Sequence, residues 1–245
     1  MERMFTRTAP RVRNFTAVAH RGDPYEQREN TLASIRSAMR AGADAVEIDV
    51  RITRDNVPVL LHDASLKRLW GHDRPLASLT ADEVGAITGD GVPTLRDALG
   101  ELAKGTRTVR AMIDLPTASA VPATLATVRE ADASEHVYYC GNLAALRAVR
   151  RAEPDAEIAF TWTTLAPPRP DLVAELRPRW LNYRFGIVSP ALVERAHADG
   201  ILVSAWTADT KRTMRRLLRA GVDGITTNRI STLRALVGQG APDGR

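Results

Sequence analysis

Lysine is scarce in this sequence, which has 245 residues and 34 basic side chains but lysine only at positions 67, 104 and 211; the remaining basic residues are arginines. The net charge of +5 is therefore carried almost wholly by guanidinium groups. A basic balance can mark a nucleic-acid or anionic-membrane partner. An Ala- and Arg-rich sequence almost without Lys reads better as coding bias, so no nucleic-acid partner is expected. Cysteine is scarcer still. Cys140 stands alone, which excludes an internal disulfide and any cysteine-based metal site. No run approaches the roughly 18 apolar residues of a membrane span, so no stable membrane insertion is expected. The first 14 residues carry Arg3, Arg7, Arg11 and Arg13 without the apolar stretch of a signal peptide, and a cytoplasmic location is the expectation.

What is present is a pattern. Hydrophobic residues make up 44% and charged residues 26%, close to the average for globular chains, so a sizeable core can be buried. Short apolar, β-branched runs alternate with amphipathic stretches along the whole chain. Strands are predicted near 16–19, 44–51, 108–114, 136–140, 156–161, 180–183, 201–206 and 223–227. Helices are predicted near 31–41, 94–103, 121–132, 142–152, 170–177, 189–199, 209–220 and 230–237. Eight strands, each followed by a helix and with no linker between, define an α/β fold: a single (β/α)8 TIM barrel. One domain over 1–245 is expected, with its core at about 15–237 and flexible tails at 1–13 and 238–245. In the helix at 209–220, Arg212, Arg215, Arg216 and Arg219 share one face opposite Met214, Leu217 and Leu218, as a solvated barrel exterior requires.

The run at 57–61 (VPVLL) exceeds the eight-strand count. It lies too close to the second strand for a right-handed crossover, and Thr53-Arg54-Asp55-Asn56 supplies turn chemistry. An extra antiparallel hairpin strand after the second strand is therefore predicted. A two-residue loop at Asp55-Asn56 sets Asp49 opposite His62, with Glu47 further along the same face.

The residues with chemistry in them gather at strand ends. His20-Arg21-Gly22 follows the first strand at the C-terminal rim, where barrel enzymes carry their reactive groups. An imidazole can move a proton near neutral pH, and a guanidinium can hold two phosphoryl oxygens at once. Glu47 and Asp49 alternate with Val46, Ile48 and Val50, so both acids face the barrel interior, about 7 Å apart at the backbone. Uncompensated charge there is costly. Either a hard cation, Mg²⁺ or Ca²⁺, or buried arginines such as Arg21 and Arg51 must offset it. Asp114 ends the third predicted strand and either faces the same ion or caps the following segment. His62-Asp63 closes the hairpin run, and His20 with His62 would supply an acid and a base around a metal-held phosphate. Trp206 ends the seventh predicted strand, where it walls a substrate pocket or packs. Cys140 reads as a small buried residue, and His72, His136 and His197 read as surface residues.

Taken in order, His20-Arg21-Gly22, Glu29-Asn30-Thr31, Glu47-Ile48-Asp49, Thr53, Asp55, Val57-Pro58-Val59 and His62-Asp63 resemble the signature of the glycerophosphodiester phosphodiesterases. The similarity continues through Leu66, the segment 79–83, Pro93-Thr94-Leu95, Trp206-Thr207 and residues 221–225, and so spans about 17–228. The resemblance implies a barrel, one divalent cation (Mg²⁺ or Ca²⁺), and hydrolysis of small glycerophosphodiesters to sn-glycerol 3-phosphate and an alcohol. It implies His20 and His62 as the acid/base pair, Arg21 as the phosphate clamp, and Glu47, Asp49 and Asp114 as metal ligands. Three positions depart from the family pattern: Arg28 in place of a proline, Asn228 in place of an aspartate, and Pro116 where a phosphate-binding lysine is usual. Losing that lysine costs about ten- to a hundredfold in rate unless another cation, such as Lys67 or Arg184, substitutes. Two rival readings follow from these departures: a phospholipase D-like cleavage of lysophospholipid or sphingomyelin headgroups, and a non-catalytic barrel that binds phosphorylated ligands.

Overall fold

The computed structural model describes residues 15–238. Nine strands run β1 (Thr16–His20), β2 (Ala45–Ile52), β3 (Pro58–Leu60), β4 (Arg110–Leu115), β5 (Val137–Gly141), β6 (Ala159–Trp162), β7 (Trp180–Arg184), β8 (Leu202–Trp206) and β9 (Gly224–Thr227). Eight of them are parallel in the order β5-β4-β2-β1-β9-β8-β7-β6, and a single bridge from Tyr139 to Ile158 brings the two ends together. The result is a nearly closed barrel with helices outside, the α/β architecture expected from the strand count. Of the expected tails 1–13 and 238–245, residues 1–13 and 239–245 lie outside the described residues, while Gly238 closes the last helix rather than belonging to a tail.

Alternation along the strands sorts the side chains. Ala17, Ala19, Val46, Ile48, Val50, Ala111, Ile113 and Leu115 point outward into the apolar layer shared with the helices. Val18, Ala45, Met112, Tyr138, Cys140, Ala159 and Trp180 fill the barrel interior. Burial pushes the Cys140 thiol well above its usual range, in keeping with a packing residue rather than a nucleophile. Above this plug the same inward rows carry Glu47, Asp49 and Asp114 to the C-terminal rim.

Ten helices cover the barrel: α1 (Leu32–Arg40), α2 (Lys67–Trp70), α3 (Ala81–Thr88), α4 (Leu95–Ala103), α5 (Val121–Glu130), α6 (Leu143–Ala152), α7 (Pro170–Leu176), α8 (Pro190–Ala198), α9 (Lys211–Ala220) and α10 (Ile230–Gly238). Two of them, α2 and α3, fall outside the sequence expectation. The second was legible: Thr80 and Glu83 form a capping box, each side chain bonded to the other's backbone N–H. Together with the hairpin they bury a small separate core of Val59, Leu61, Leu66, Leu76, Leu79, Val84 and Val92. On α9, Arg212, Arg215 and Arg219 are exposed as expected, and Arg216 donates to the Val188 and Phe185 carbonyls. His197 departs from its surface reading: it is half-buried, with Nε2 2.6 Å from Asp223. His72 and His136 are exposed.

The hairpin forms, but its register differs by one residue from the expectation. Pairing runs Val50 to Leu60, Arg51 to Val59 and Ile52 to Pro58, and Asp49 accepts from the Leu61 amide rather than facing His62. The loop has three residues, not two. Thr53 donates its N–H to the Val57 carbonyl at 3.1 Å, Asn56 donates back to Thr53, and Asn56 takes a left-handed φ of 65°. That is a turn followed by a left-handed bulge residue, and it adds one position to the connection. His62 thus lies beyond the ladder, where Arg51 Nε holds its carbonyl at 2.7 Å.

The loop after β1 turns sharply through two left-handed residues, Arg21 (φ 55°) and Gly22 (φ 88°). A Cβ on Gly22 would stand 2.2 Å from Ser34 Oγ and 2.7 Å from the Ser34 backbone, against the start of α1. Gly22→Ala should destabilise the protein by about 2 kcal/mol through this clash and the strained φ, read as a lower urea midpoint at unchanged slope.

Candidate active site

β1, β2 and β4 are adjacent and in parallel register, with His20 beside Glu47 and Asp49 beside Asp114. This alone converges the acids. One oxygen from each of Glu47, Asp49 and Asp114 lies within 4.8 Å of the other two. Asp114 does not cap the following segment; the helical turns after it start at Ala118, without a side-chain cap bond. Burial, and then the Asp49 charge, push the Asp114 carboxyl up to about 6. Burial, and then Asp49 and Asp114, raise Glu47 well above the carboxylate range.

The arginine alternative holds in part. Arg21 Nε lies 3.1 Å from Asp49 Oδ2, out of line for a hydrogen bond, and the Arg21 backbone N–H donates to Glu47 Oε2 at 3.0 Å. One guanidinium cannot neutralise three carboxylates. The donor set is all oxygen and all anionic, and its spacing suits one ion with bonds of about 2.3–2.6 Å, which places opposed oxygens roughly 5 Å apart. These residues therefore fit a hard divalent cation.

Several groups hold this cluster in place. Asn30, buried and left-handed at φ 56°, donates Nδ2 to Asp49 Oδ2 at 2.7 Å and accepts from the Asp49 amide. Gly141 ends β5 at φ 120°, and a Cβ there would stand 2.6 Å from Asp114 Oδ1 and 2.4 Å from the Leu115 carbonyl. Neither role was apparent in the sequence, although an Asn two residues before α1 is a type that tolerates the left-handed region.

His20 sits at the rim with Nε2 3.8 Å from Glu47 Oε2. Its Nδ1 is 2.7 Å from Asn228 Oδ1, and Asn228 Nδ2 donates to Asp209 Oδ2 at 2.7 Å. A carboxylate only accepts, so Asp209 fixes the amide, and the amide oxygen in turn requires the hydrogen on His20 Nδ1. Nε2 then presents its lone pair to the site. Burial, and then the Arg21 charge, lower the His20 pKa and favour the neutral ring. His62 is more exposed, with Nδ1 2.7 Å from Asp63 Oδ1, so its Nε2 is also free. The field of His62 reaches Asp114 and lowers its carboxyl pKa, as do Arg21 and Arg51. The acids, Arg21 and both histidines therefore share one rim.

The candidate replacements for a lysine at Pro116 are placed differently. Lys67 is turned to solvent and paired with Asp73. Arg184 is exposed at the end of β7, in register with Trp206. Arg51, half-buried on the inward row of β2, is the further cation that acts on Asp114. Trp206 ends β8 half-buried, donating Nε1 to the Asn182 carbonyl at 3.2 Å.

A barrel whose C-terminal rim carries three carboxylates, a guanidinium and two imidazoles defines a hydrolase of phosphodiesters. Residues 20–232 match the Glycerophosphoryl diester phosphodiesterase family, and the chain belongs to that family. A glycerophosphodiester phosphodiesterase of Caldanaerobacter subterraneus subsp. tengcongensis is 28% identical, over 91% of this chain and 98% of its own. Among solved structures, a glycerophosphodiester phosphodiesterase from Parabacteroides distasonis is similar at TM-score 0.79 and 25% identity, covering 92% of this chain and 98% of that one. The fold is shared as well with an Oleispira antarctica phosphodiesterase solved with its product sn-glycerol-3-phosphate, at TM-score 0.81 and 21% identity, over 91% of this chain and 96% of that one. Among the described residues, no helix is long and apolar enough to cross a membrane.

In metal-free protein the raised Asp114 carboxyl favours folding at low pH, and that contribution is lost as the pH rises through about 6. Mg²⁺ or Ca²⁺ should therefore raise the melting temperature at pH 7 to 8, with the increment shrinking as the pH falls through about 6, where protons compete for the ligands. Asp49→Asn should abolish most of the increment in the same thermal-shift titration.

Proposed function

We propose that this protein hydrolyses small glycerophosphodiesters to sn-glycerol 3-phosphate and an alcohol, with one Mg²⁺ or Ca²⁺ held by Glu47, Asp49 and Asp114. The observation that carries this reading is the convergence of three carboxylate oxygens within 4.8 Å, beside Arg21 and a histidine whose free nitrogen faces them. A bound cation would neutralise charge that builds on the phosphoryl oxygens during displacement.

The chain's own groups do the rest. Arg21 orients the phosphate; its left-handed backbone is fixed by bonds from Asn30 and Ser34 to its carbonyl, so the guanidinium leaves the loop in one direction. His20, neutral and with Nε2 unprotonated, takes the proton of the attacking hydroxyl. His62, exposed just past the hairpin ladder, gives a proton to the departing alkoxide. Trp206 forms part of the substrate wall, its ring held by the bond to Asn182. Each ring has its Nδ1 engaged, by Asn228 for His20 and by Asp63 for His62, which leaves Nε2 as the nitrogen that exchanges protons.

Purified protein should release glycerol 3-phosphate from glycerophosphocholine, lose that activity in EDTA and regain it with added Mg²⁺ or Ca²⁺. Headgroup release from lysophosphatidylcholine without turnover of the deacylated diester would overturn the substrate assignment. His20→Ala and His62→Ala should each lower kcat by at least about a hundredfold with unchanged circular dichroism. Wild-type-like turnover in either variant would remove that residue from the chemistry.

A further inference from the structure

A continuous chain of ion pairs runs outside the acid cluster, from Arg21 to His62. Arg21 Nη1 donates to Glu29 Oε1 at 3.0 Å. Arg68 grips the same carboxylate with both terminal nitrogens, Nη2 to Oε1 at 2.6 Å and Nη1 to Oε2 at 3.1 Å. The third nitrogen of that guanidinium, Nε, donates to Asp63 Oδ2 at 2.6 Å. The other oxygen of Asp63 holds His62 Nδ1 at 2.7 Å. Every nitrogen of Arg68 is thus committed, and each of the two carboxylates it joins holds one working residue of the site.

The surroundings fix this arrangement. Arg68 lies on α2, next to Leu66, which is fully buried in the small hairpin core. The same helix meets the loop after β1 a second time, where the Arg28 guanidinium lies 4.2 Å over the Trp70 ring. Two independent contacts therefore join α2 to the segment that carries Arg21 and Glu29. Burial opposes charge on Glu29, but the Arg68 hydrogen bond and the nearby guanidiniums outweigh it and lower its pKa. The Arg68 bond also lowers Asp63. Both links are ionised near neutral pH. An isolated exposed ion pair would do little. A planar fork that satisfies two carboxylates at once fixes direction as well as charge, which a lysine cannot do.

Resting on the phosphodiesterase reading above, we infer that Arg68 is a positioning residue: it touches neither phosphate nor metal, and it sets the orientation of His62 relative to the Arg21 clamp through Asp63 and Glu29. Its side chain is 46% exposed, so its removal leaves no cavity in the core.

Two measurements test this. In the glycerophosphocholine assay, Arg68→Ala should lower kcat/KM by about ten- to a hundredfold at a nearly unchanged melting temperature. Millimolar guanidinium should recover part of the loss, and Arg68→Lys should recover less than Arg68→Ala with guanidinium. Activity of Arg68→Ala within twofold of wild type would overturn the inference. The second measurement needs no turnover: nitrogen-15 spectra of the His62 ring, compared with and without Glu29→Gln. That substitution touches neither Asp63 nor His62, so the ring signals should move in the wild-type background and stay still in the Arg68→Ala background. A His62 signal indifferent to Glu29→Gln also overturns it. A wild-type protein that hydrolyses no glycerophosphodiester would sink the proposed function alone, leaving the spectra to decide on Arg68.

Discussion

Like charges brought together out of water set the terms for this structure. Glu47, Asp49 and Asp114 face inward on adjacent strands, above a plug of apolar side chains, where burial and the neighbouring carboxylates oppose the ionisation of Glu47 and Asp114. The residues around them hold these groups together against that repulsion. The Arg21 backbone bends into the left-handed region so that its N–H reaches Glu47 while its guanidinium lies against Asp49. Asn30 adopts the same unusual conformation and brackets Asp49 from both sides. Gly141 leaves the volume that Asp114 occupies. Small residues and strained turns collect where three negative groups must be held still.

The two histidines meet the same site under different conditions. Behind His20 stands a neutral amide, oriented by the Asp209 carboxylate one bond further out. Behind His62 stands a carboxylate directly, itself tied to a guanidinium. One ring is half-buried and partly desolvated, and the other is exposed. Unequal settings of this kind separate the protonation behaviour of two otherwise identical side chains.

Much of this was legible in the sequence because a barrel repeats one motif. Eight apolar runs spaced by amphipathic helices gave the fold, and the alternation of Glu47 and Asp49 with Val46, Ile48 and Val50 gave the inward face. What escaped the sequence was geometry of a finer grain. Asn56 can serve as one half of a two-residue turn or as a left-handed bulge, and the second choice shifted the hairpin register by one position. Side-chain pairs such as Arg68 with Glu29, 39 positions apart, follow no local period. The capping box at Thr80 and Glu83 was readable and marks α3 plainly in retrospect.

The scarcity of lysine gives the molecule an uneven chemical surface. Lys67, Lys104 and Lys211 are all exposed, and the fixed cations that act on Asp114 are the guanidiniums of Arg21 and Arg51. Amine-directed acylation would therefore modify exposed side chains and spare both of these guanidiniums. Guanidinium groups keep their charge far into alkali, so the positive side of this centre is constant across the working range, and any acid–base response of the protein's activity belongs to its carboxyls and imidazoles alone.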